Sequence, residues 1–377
     1  MVQGPLSIQR LLGAMKKIDA SDLHLKVGIK PTYRINGSLR AVDSEALTED
    51  EADHLLDPVV PEPLRARFAQ SGNLDFATHL SDGERFRINM FRSGGHTHAA
   101  IRRVKAEIPS YTALHLPPVY HEIVEHSIEG LVLIVGVTGS GKSSTLAAMI
   151  EHINQTRSEH IITIEDPVEY RFVPKKSIVS QREIGIDVAD YHSALKYIVR
   201  EDPDVIFIGE MRDHDTVLAA VQAAETGHLV FGSMHTADTM QAFSRILEFF
   251  PSHEHGFLRH ALANTLRAVC AQRLLPTVEG FEVGVVPACE ILRGTPTVRE
   301  KIREGDDQAL PMIVSRCEEG MQDFTAALAD LVKKEWVTIV TAMDNAPNRD
   351  ALASTIKGLQ VRSQGLVSRI RSAGNRS

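Results

Sequence analysis

Residues 136–143 read Gly136-Val137-Thr138-Gly139-Ser140-Gly141-Lys142-Ser143, between the apolar run Leu131–Val135 and the helix-forming run Thr145–Ile153. This is G-x-x-x-x-G-K-[ST] without a mismatch, in the strand–loop–helix setting that lets the pattern carry chemistry. Glycine is needed where backbone amides turn inward and touch phosphate oxygens with no Cβ in the way. On this reading Lys142 brings a point charge to the β- and γ-phosphates of ATP, and the Ser143 hydroxyl ligates Mg²⁺. The helix N-terminus that follows adds a favourable dipole. Gly136, Thr138, Gly139, Ser140, Gly141, Lys142, Ser143 and Ser144 are the expected ATP-binding residues.

Cleaving a phosphoanhydride at such a loop also takes an acid at a neighbouring strand tip, to hold magnesium's water shell, and a base to orient the attacking water. Glu165 follows Ile162-Thr163-Ile164, with Asp166 and Glu169 close behind and Pro167 ending the run. Glu210 follows Val205-Ile206-Phe207-Ile208-Gly209. Ligands of open α/β sheets bind beyond the carboxyl ends of the strands, so both glutamates are expected on the P-loop side. Either alone would read equally well as a solvated strand-end acid; beside a P-loop the functional reading prevails.

The elements that must hold these residues show in the hydrophobic pattern. Leu131–Val135, His160–Ile164, Val205–Ile208 and Leu229–Gly232 are short apolar runs separated by helical segments. They predict a buried, largely parallel sheet with helices on both faces. From about Thr297 the chain reads as helices only, ending near Leu359. Upstream, Asp22–Val27 alternates with period two, and Asn36-Gly37 sits between two strand-like runs as a hairpin turn. A helix-like stretch spans Thr48–Gln70, then Arg85–Met90 alternates and a further strand follows at Ala99–Val104. Pro109, Pro117 and Pro118 mark 108–119 as a linker. A small α+β domain over 1–107 and an α/β domain over 120–377 are expected, the latter with a helical part at about 297–360 and a basic tail at 361–377.

Composition narrows the partners. Forty-one Lys and Arg against 49 Asp and Glu leave a net charge of −8. That argues against a broad nucleic-acid footprint, which needs clustered cations. Cys270, Cys289 and Cys317 show no C-x-x-C spacing, so neither a disulfide framework nor a cysteine zinc site is expected, and a reducing compartment fits. The first 18 residues do not read as a signal peptide, and Gly136 interrupts an apolar run far short of the ~20 residues of a spanning helix. Membrane association is expected through partners only. His253, His255 and His260 read as surface residues, lacking a pattern of metal ligands.

Several further segments occur in an order that resembles the secretion-type ATPases, and within them the type IV pilus retraction (twitching motility) branch, the PilT/PilU family. They are Gly136–Ser144, Thr163–Tyr170, Ser180-Gln181-Arg182-Glu183, Arg200-Glu201-Asp202-Pro203-Asp204 and Ala224–Thr236, within a likeness running from Ser21-Asp22-Leu23-His24 to Gly320-Met321-Gln322. The resemblance implies a RecA-like α/β core with C-terminal helices, preceded by a PAS-like α+β domain. It implies ATP hydrolysis by a cytoplasmic homo-hexamer at the inner face of the membrane. An inner-membrane pilus platform protein and a paralogous retraction ATPase are the implied partners.

Residue by residue, the resemblance implies that Glu165 is the general base and Glu210 the magnesium-site acid of an atypical Walker B, with Gly209 replacing the usual aspartate. His228 and His235 match the family's histidine box, with His228 an ATP-binding residue and His235 near the γ-phosphate. Arg87 and Arg102 match arginines that reach a neighbouring subunit's nucleotide; Arg85 and Arg103 lie close enough to compete for that assignment. One motif departs. Where retraction ATPases carry Ala-Ile-Arg-Asn-Leu-Ile, this chain has Thr297-Val298-Arg299-Glu300-Lys301-Ile302. Glu300 and Lys301 favour an accessory, PilU-like member, and leave a low-activity nucleotide-dependent scaffold as an alternative. An extension or secretion ATPase is disfavoured, because the extra N-terminal domain and four-cysteine zinc module usual there are not expected here.

Overall fold

Two units, each with its own hydrophobic core, make up the chain in the computed structural model, which describes residues 6–35, 38–81, 83–104 and 107–358. One unit comprises Met1–Ile108 together with Pro167–Arg171, the other Pro109–Asp166 together with Phe172–Ser377. A single cut at the proline-rich linker therefore does not describe the division, since Pro167–Arg171 belongs with the N-terminal unit.

The N-terminal unit is α+β. Its strands are β1 (Asp22–Leu25), β2 (Thr32–Ile35), β3 (Ser38–Ala41), β4 (Asn73–His79), β5 (Arg85–Ser93) and β6 (His96–Val104), in the antiparallel order β3-β2-β1-β6-β5-β4. On β5 the expected alternation holds: Phe86, Ile88 and Met90 are buried while Arg87 is exposed. Helix Ile8–Lys17 places Ile8, Leu11, Leu12 and Met15 in this core, the spacing of one helical face. The Tyr33 hydroxyl donates to Leu11 O at 2.8 Å, and burial pushes its pKa up to about 12. The helix-like stretch is two helices, Glu49–Leu56, opened by a Thr48/Glu51 capping box, and Glu62–Ser71, split by Pro58 and Pro61. Asn36-Gly37 lies outside the described residues, although Ile35 and Ser38 pair in antiparallel register. Neither helix Ile8–Lys17 nor β4 was expected.

The second unit holds β7 (Gly130–Val135), β8 (His160–Glu165), β9 (Ile178–Glu183), β10 (Val205–Ile208), β11 (Leu229–Met234), β12 (Leu266–Pro276) and β13 (Val285–Arg293), ordered β13-β12-β7-β11-β10-β8-β9. All neighbours pair in parallel except β12 with β13. Every residue of β7, β10 and β11 is buried, as strands covered on both faces must be. β9, β12 and β13 escape the sequence reading for two reasons. β9 is polar because it forms the sheet edge, and β12 continues directly from helix His255–Thr265, with a register shift between Leu266 and Ala268 and no turn residue to announce it. Beyond Pro296 the chain is helical, through Pro296–Glu304, Leu310–Val314, Phe324–Lys333, Ile339–Asn345 and 349–358. The basic tail, 361–377, lies outside the described residues.

Candidate active site

Strand register decides which residues meet. Leu133, Gly232, Ile208 and Ile164 form one row across β7, β11, β10 and β8. Parallel strands that share a row release their chains at the same edge, so Gly136, His235, Glu210 and Glu165 all emerge at the carboxyl ends of the sheet.

The loop after β7 is built around close approaches. A Cβ on Gly136 would lie 2.3 Å from Ser140 Oγ and 2.7 Å from Gln272 O, so only glycine fits. Gly139 and Gly141 take φ of 79° and 89°, the left-handed region, and Gly141 caps helix Lys142–Thr156. Lys142 is buried, with Nζ donating to Gly136 O at 2.8 Å and Val137 O at 3.1 Å. Ser140 Oγ is buried and makes no hydrogen bond to a described residue. A cation folded into its own loop, a buried hydroxyl without a partner and partly exposed Ser143 and Ser144 on the helix's first turn fit a phosphate chain. Ser143 and Glu210 offer hard oxygen donors, the type that suits Mg²⁺.

Glu165 is buried at the end of β8, and its Oε1 accepts from Thr163 Oγ1 at 2.7 Å and from Gln181 Nε2 at 3.2 Å. Thr163, two residues back, shares its strand face. Gln181 comes from β9, directly beside Thr163 in the ladder. Glu210 is more open, its side chain 34% exposed, and sits on a turn held by Ser233 Oγ donating to Gly209 O at 2.5 Å and Met211 N to Ser233 O at 2.8 Å. His235 stands between the loop and this acid, with Nδ1 3.5 Å from Thr138 Oγ1 and Nε2 3.8 Å from Glu210 Oε1. Asp166 is exposed, 3.8 Å from Arg212, and Glu169 belongs to the N-terminal unit.

One expected residue is misplaced. His228 precedes β11 and His235 follows it, so the two histidines flank opposite ends of a six-residue strand. At ~3.3 Å per residue they are roughly 20 Å apart. His228 is therefore not an ATP-binding residue of its own subunit's P-loop; its Nδ1 lies 2.9 Å from Ala223 O and 3.1 Å from Thr226 Oγ1. Gln272, unmarked in the sequence reading, is buried beside the loop and donates from Nε2 to Thr145 Oγ1 at 2.9 Å. Gln181 was signalled only as part of the Ser180–Glu183 segment.

In the N-terminal unit Arg87 and Arg102 face each other across β5 and β6. Arg102 is 71% exposed with Nε 2.8 Å from Asp22 Oδ1. Arg103 points to the other face and pairs with Glu84 and Asp19, each at 3.0 Å, whereas Arg85 shares the face of Arg87. The segment of the departing motif lies on helix Pro296–Glu304, where Val298 and Ile302 are buried and Glu300 is exposed. Lys301 meets Glu304 at 2.8 Å and Asp306 at 3.3 Å, so neither altered position enters the core.

A phosphate-cradling loop after a central buried strand, with acids on the strands beyond its neighbour, is the arrangement of a RecA-like P-loop ATPase, and this chain is of that class. It matches the type II/IV secretion system protein family over residues 7–322. It is 36% identical over 342 residues to the type IV pilus retraction ATPase PilT of Pseudomonas aeruginosa, spanning 90% of this chain and 98% of that protein. To the type IV pilus ATPase PilU of the same species it is 36% identical over 353 residues, spanning 93% and 92%. The crystal structure of the pilus retraction motor PilT with bound ADP matches with a TM-score of 0.85 at 41% identity, over 92% of this chain and 98% of that one. The chain belongs to the type II/IV secretion system protein family, as a PilT-like member. No helix of the described residues is long and apolar enough to cross a membrane.

Proposed function

We propose that this protein is an ATP-hydrolysing subunit of a homo-hexameric motor that powers or assists retraction of a type IV pilus. It works at the cytoplasmic face of the inner membrane, on a pilus platform protein. The observation that carries this reading is the convergence of Lys142, Glu165, Glu210 and His235 at one sheet edge, in a chain alike to PilT over nearly its whole length. Lys142, Thr138, the loop amides and the hydroxyls of Ser140, Ser143 and Ser144 hold the phosphates. Glu165, oriented by Thr163 and Gln181, takes the proton of the attacking water. Ser143 and Glu210 would hold Mg²⁺, which supplies positive charge at the phosphates when bound. Arg87 and Arg102 act on a neighbouring subunit's nucleotide.

Lys142→Ala is the direct test. Steady-state ATP hydrolysis should be lost and nucleotide affinity reduced, since a phosphate cluster loses its main cation. Turnover at the wild-type rate would overturn the assignment. The departure at Glu300 and Lys301 favours an accessory, PilU-like role over that of the main motor. Hydrolysis that is low alone and rises with a paralogous retraction ATPase is the expected behaviour on that reading.

A further inference from the structure

Helix Val119–His126 carries His121 and Glu125 four residues apart, hence on one face. Helix Lys142–Thr156 starts at the P-loop and presents His152 to that face, ten residues beyond Lys142 and roughly 15 Å along the axis. His152 Nε2 lies 2.5 Å from Glu125 Oε1, and His121 Nε2 4.0 Å from the same oxygen. One ligating atom from each of the three residues lies within 4.8 Å of the other two. The imidazoles meet edge-on, 4.6 Å between centroids, and the Tyr111 ring touches both, at 5.9 Å from His121 and 5.7 Å from His152.

We propose that His121, Glu125 and His152 form a binding site for a divalent transition-metal ion of the Zn²⁺ type, which clamps helix Val119–His126 to the helix that begins at the P-loop. Two imidazoles and one carboxylate, with room for water at the remaining position, are a donor set for zinc and its borderline neighbours. Mg²⁺, which prefers six oxygens, is disfavoured there. Ligand atoms on a tetrahedral ion with ~2.0–2.1 Å bonds are ~3.3 Å apart. Binding therefore opens the His152–Glu125 hydrogen bond slightly and draws His121 inward. His121 is half exposed and its side chain can make that swing.

The surroundings favour the ion. The Glu125 carboxylate already turns Oε1 toward both imidazoles. The Tyr111 hydroxyl is buried without a hydrogen-bond partner among the described residues. Arg157 is turned onto the backbone carbonyls of Val124 and Ser127, away from competition for the carboxylate oxygens. His121 and Tyr111 line a cleft of about 520 Å³, which gives an ion a route from solvent.

The test uses the full chain, stripped with a chelator and titrated with Co²⁺ as a spectroscopic substitute for Zn²⁺, in excess Mg²⁺. One Co²⁺ per chain should give visible d–d bands, displaced by Zn²⁺ and untouched by Mg²⁺, and Zn²⁺ should raise Tm by binding the folded state. His121→Ala, at an exposed position, and Glu125→Gln, which keeps the side-chain shape, should each weaken Co²⁺ binding by at least the ~10-fold that losing even an outer-sphere partner costs. Their melting in chelator should match the wild type. Absence of d–d bands in the wild type overturns the proposal, as does an unchanged affinity and Tm shift in both variants.

Discussion

Arg87 on β5 stands directly opposite Arg102 on β6, and the row continues through Asp22 on β1 to Arg34 on β2. Two of these three guanidiniums share the one carboxylate of the row. Asp22 Oδ1 lies 2.8 Å from Arg102 Nε and Oδ2 lies 3.7 Å from Arg34 Nε, while Arg87 has no ion pair with a described residue. Like charges opposite each other in a sheet cost ~0.2–1 kcal/mol. A row with this surplus of positive charge is suited to receive an anion.

If that anion is a neighbouring subunit's triphosphate, activity needs two different chains. Lys142→Ala subunits keep their arginines, and Arg87→Ala/Arg102→Ala subunits keep their P-loops. Mixed rings, verified by native mass spectrometry, are expected to recover hydrolysis absent from either variant alone, since an arginine supplied in trans is worth ~10³-fold or more. Verified mixing without recovery, or full activity of the double arginine variant by itself, would refute donation across subunits.

Asp22 also gives the N-terminal unit an acid sensitivity. Burial acts to raise its carboxyl, but the Ser21 hydroxyl and the Arg102 guanidinium outweigh it and hold the pKa below the usual range. A depressed folded-state value means stability that is fully present above the unfolded pKa of ~3.9 and lost as pH falls through the folded one. Asp22→Asn is expected to lower Tm at neutral pH and to flatten the decline below about pH 4. Because Arg102 is largely exposed, the difference should stay under ~1 kcal/mol. Thermal melts of both proteins from neutral to acid pH decide it; parallel curves would remove Asp22 from the account.

Glu165→Gln is expected to retain nucleotide and hydrolyse it at least ~100-fold more slowly, the range for losing a general base. Gln181→Ala removes an anchor on Glu165 Oε1 and should lower kcat by less, with KM unchanged. Glu210→Gln should instead raise the Mg²⁺ concentration needed for half-maximal rate. Were Glu165→Gln to destroy Mg²⁺ dependence while Glu210→Gln spared it, the two roles would be reversed.

The two histidines around β11 should part company in a binding assay. His235→Ala removes the side chain between Thr138 and Glu210 and is expected to weaken nucleotide binding and to slow turnover. His228→Ala removes contacts with Ala223 and Thr226 at the other end of the strand, so the affinity of an isolated subunit for ADP should be unchanged. Fluorescent-nucleotide titration of dilute monomer separates them. Lost affinity in His228→Ala at wild-type Tm would contradict the strand geometry.

The features legible along the chain are those that contiguous residues encode. The P-loop is one backbone conformation written in eight consecutive residues, with glycine where a Cβ collides or φ is positive, so its pattern needs no tertiary information. The apolar runs of β7, β8, β10 and β11 were legible for a related reason, since strands buried on both faces must be apolar along their length. On β5, period two set Arg87 apart from the buried Phe86, Ile88 and Met90. The remaining features depend on which elements pack side by side. His228 and His235, seven positions apart, look like a pair in the sequence, yet an extended strand carries them to opposite edges of the sheet. Gln181 reaches Glu165 because β9 lies beside β8, and His152 meets His121 and Glu125 because two helices lie side by side. Such lateral neighbours are separated by 16 to 31 residues of chain, and no periodicity along the chain records which strand or helix will lie beside which.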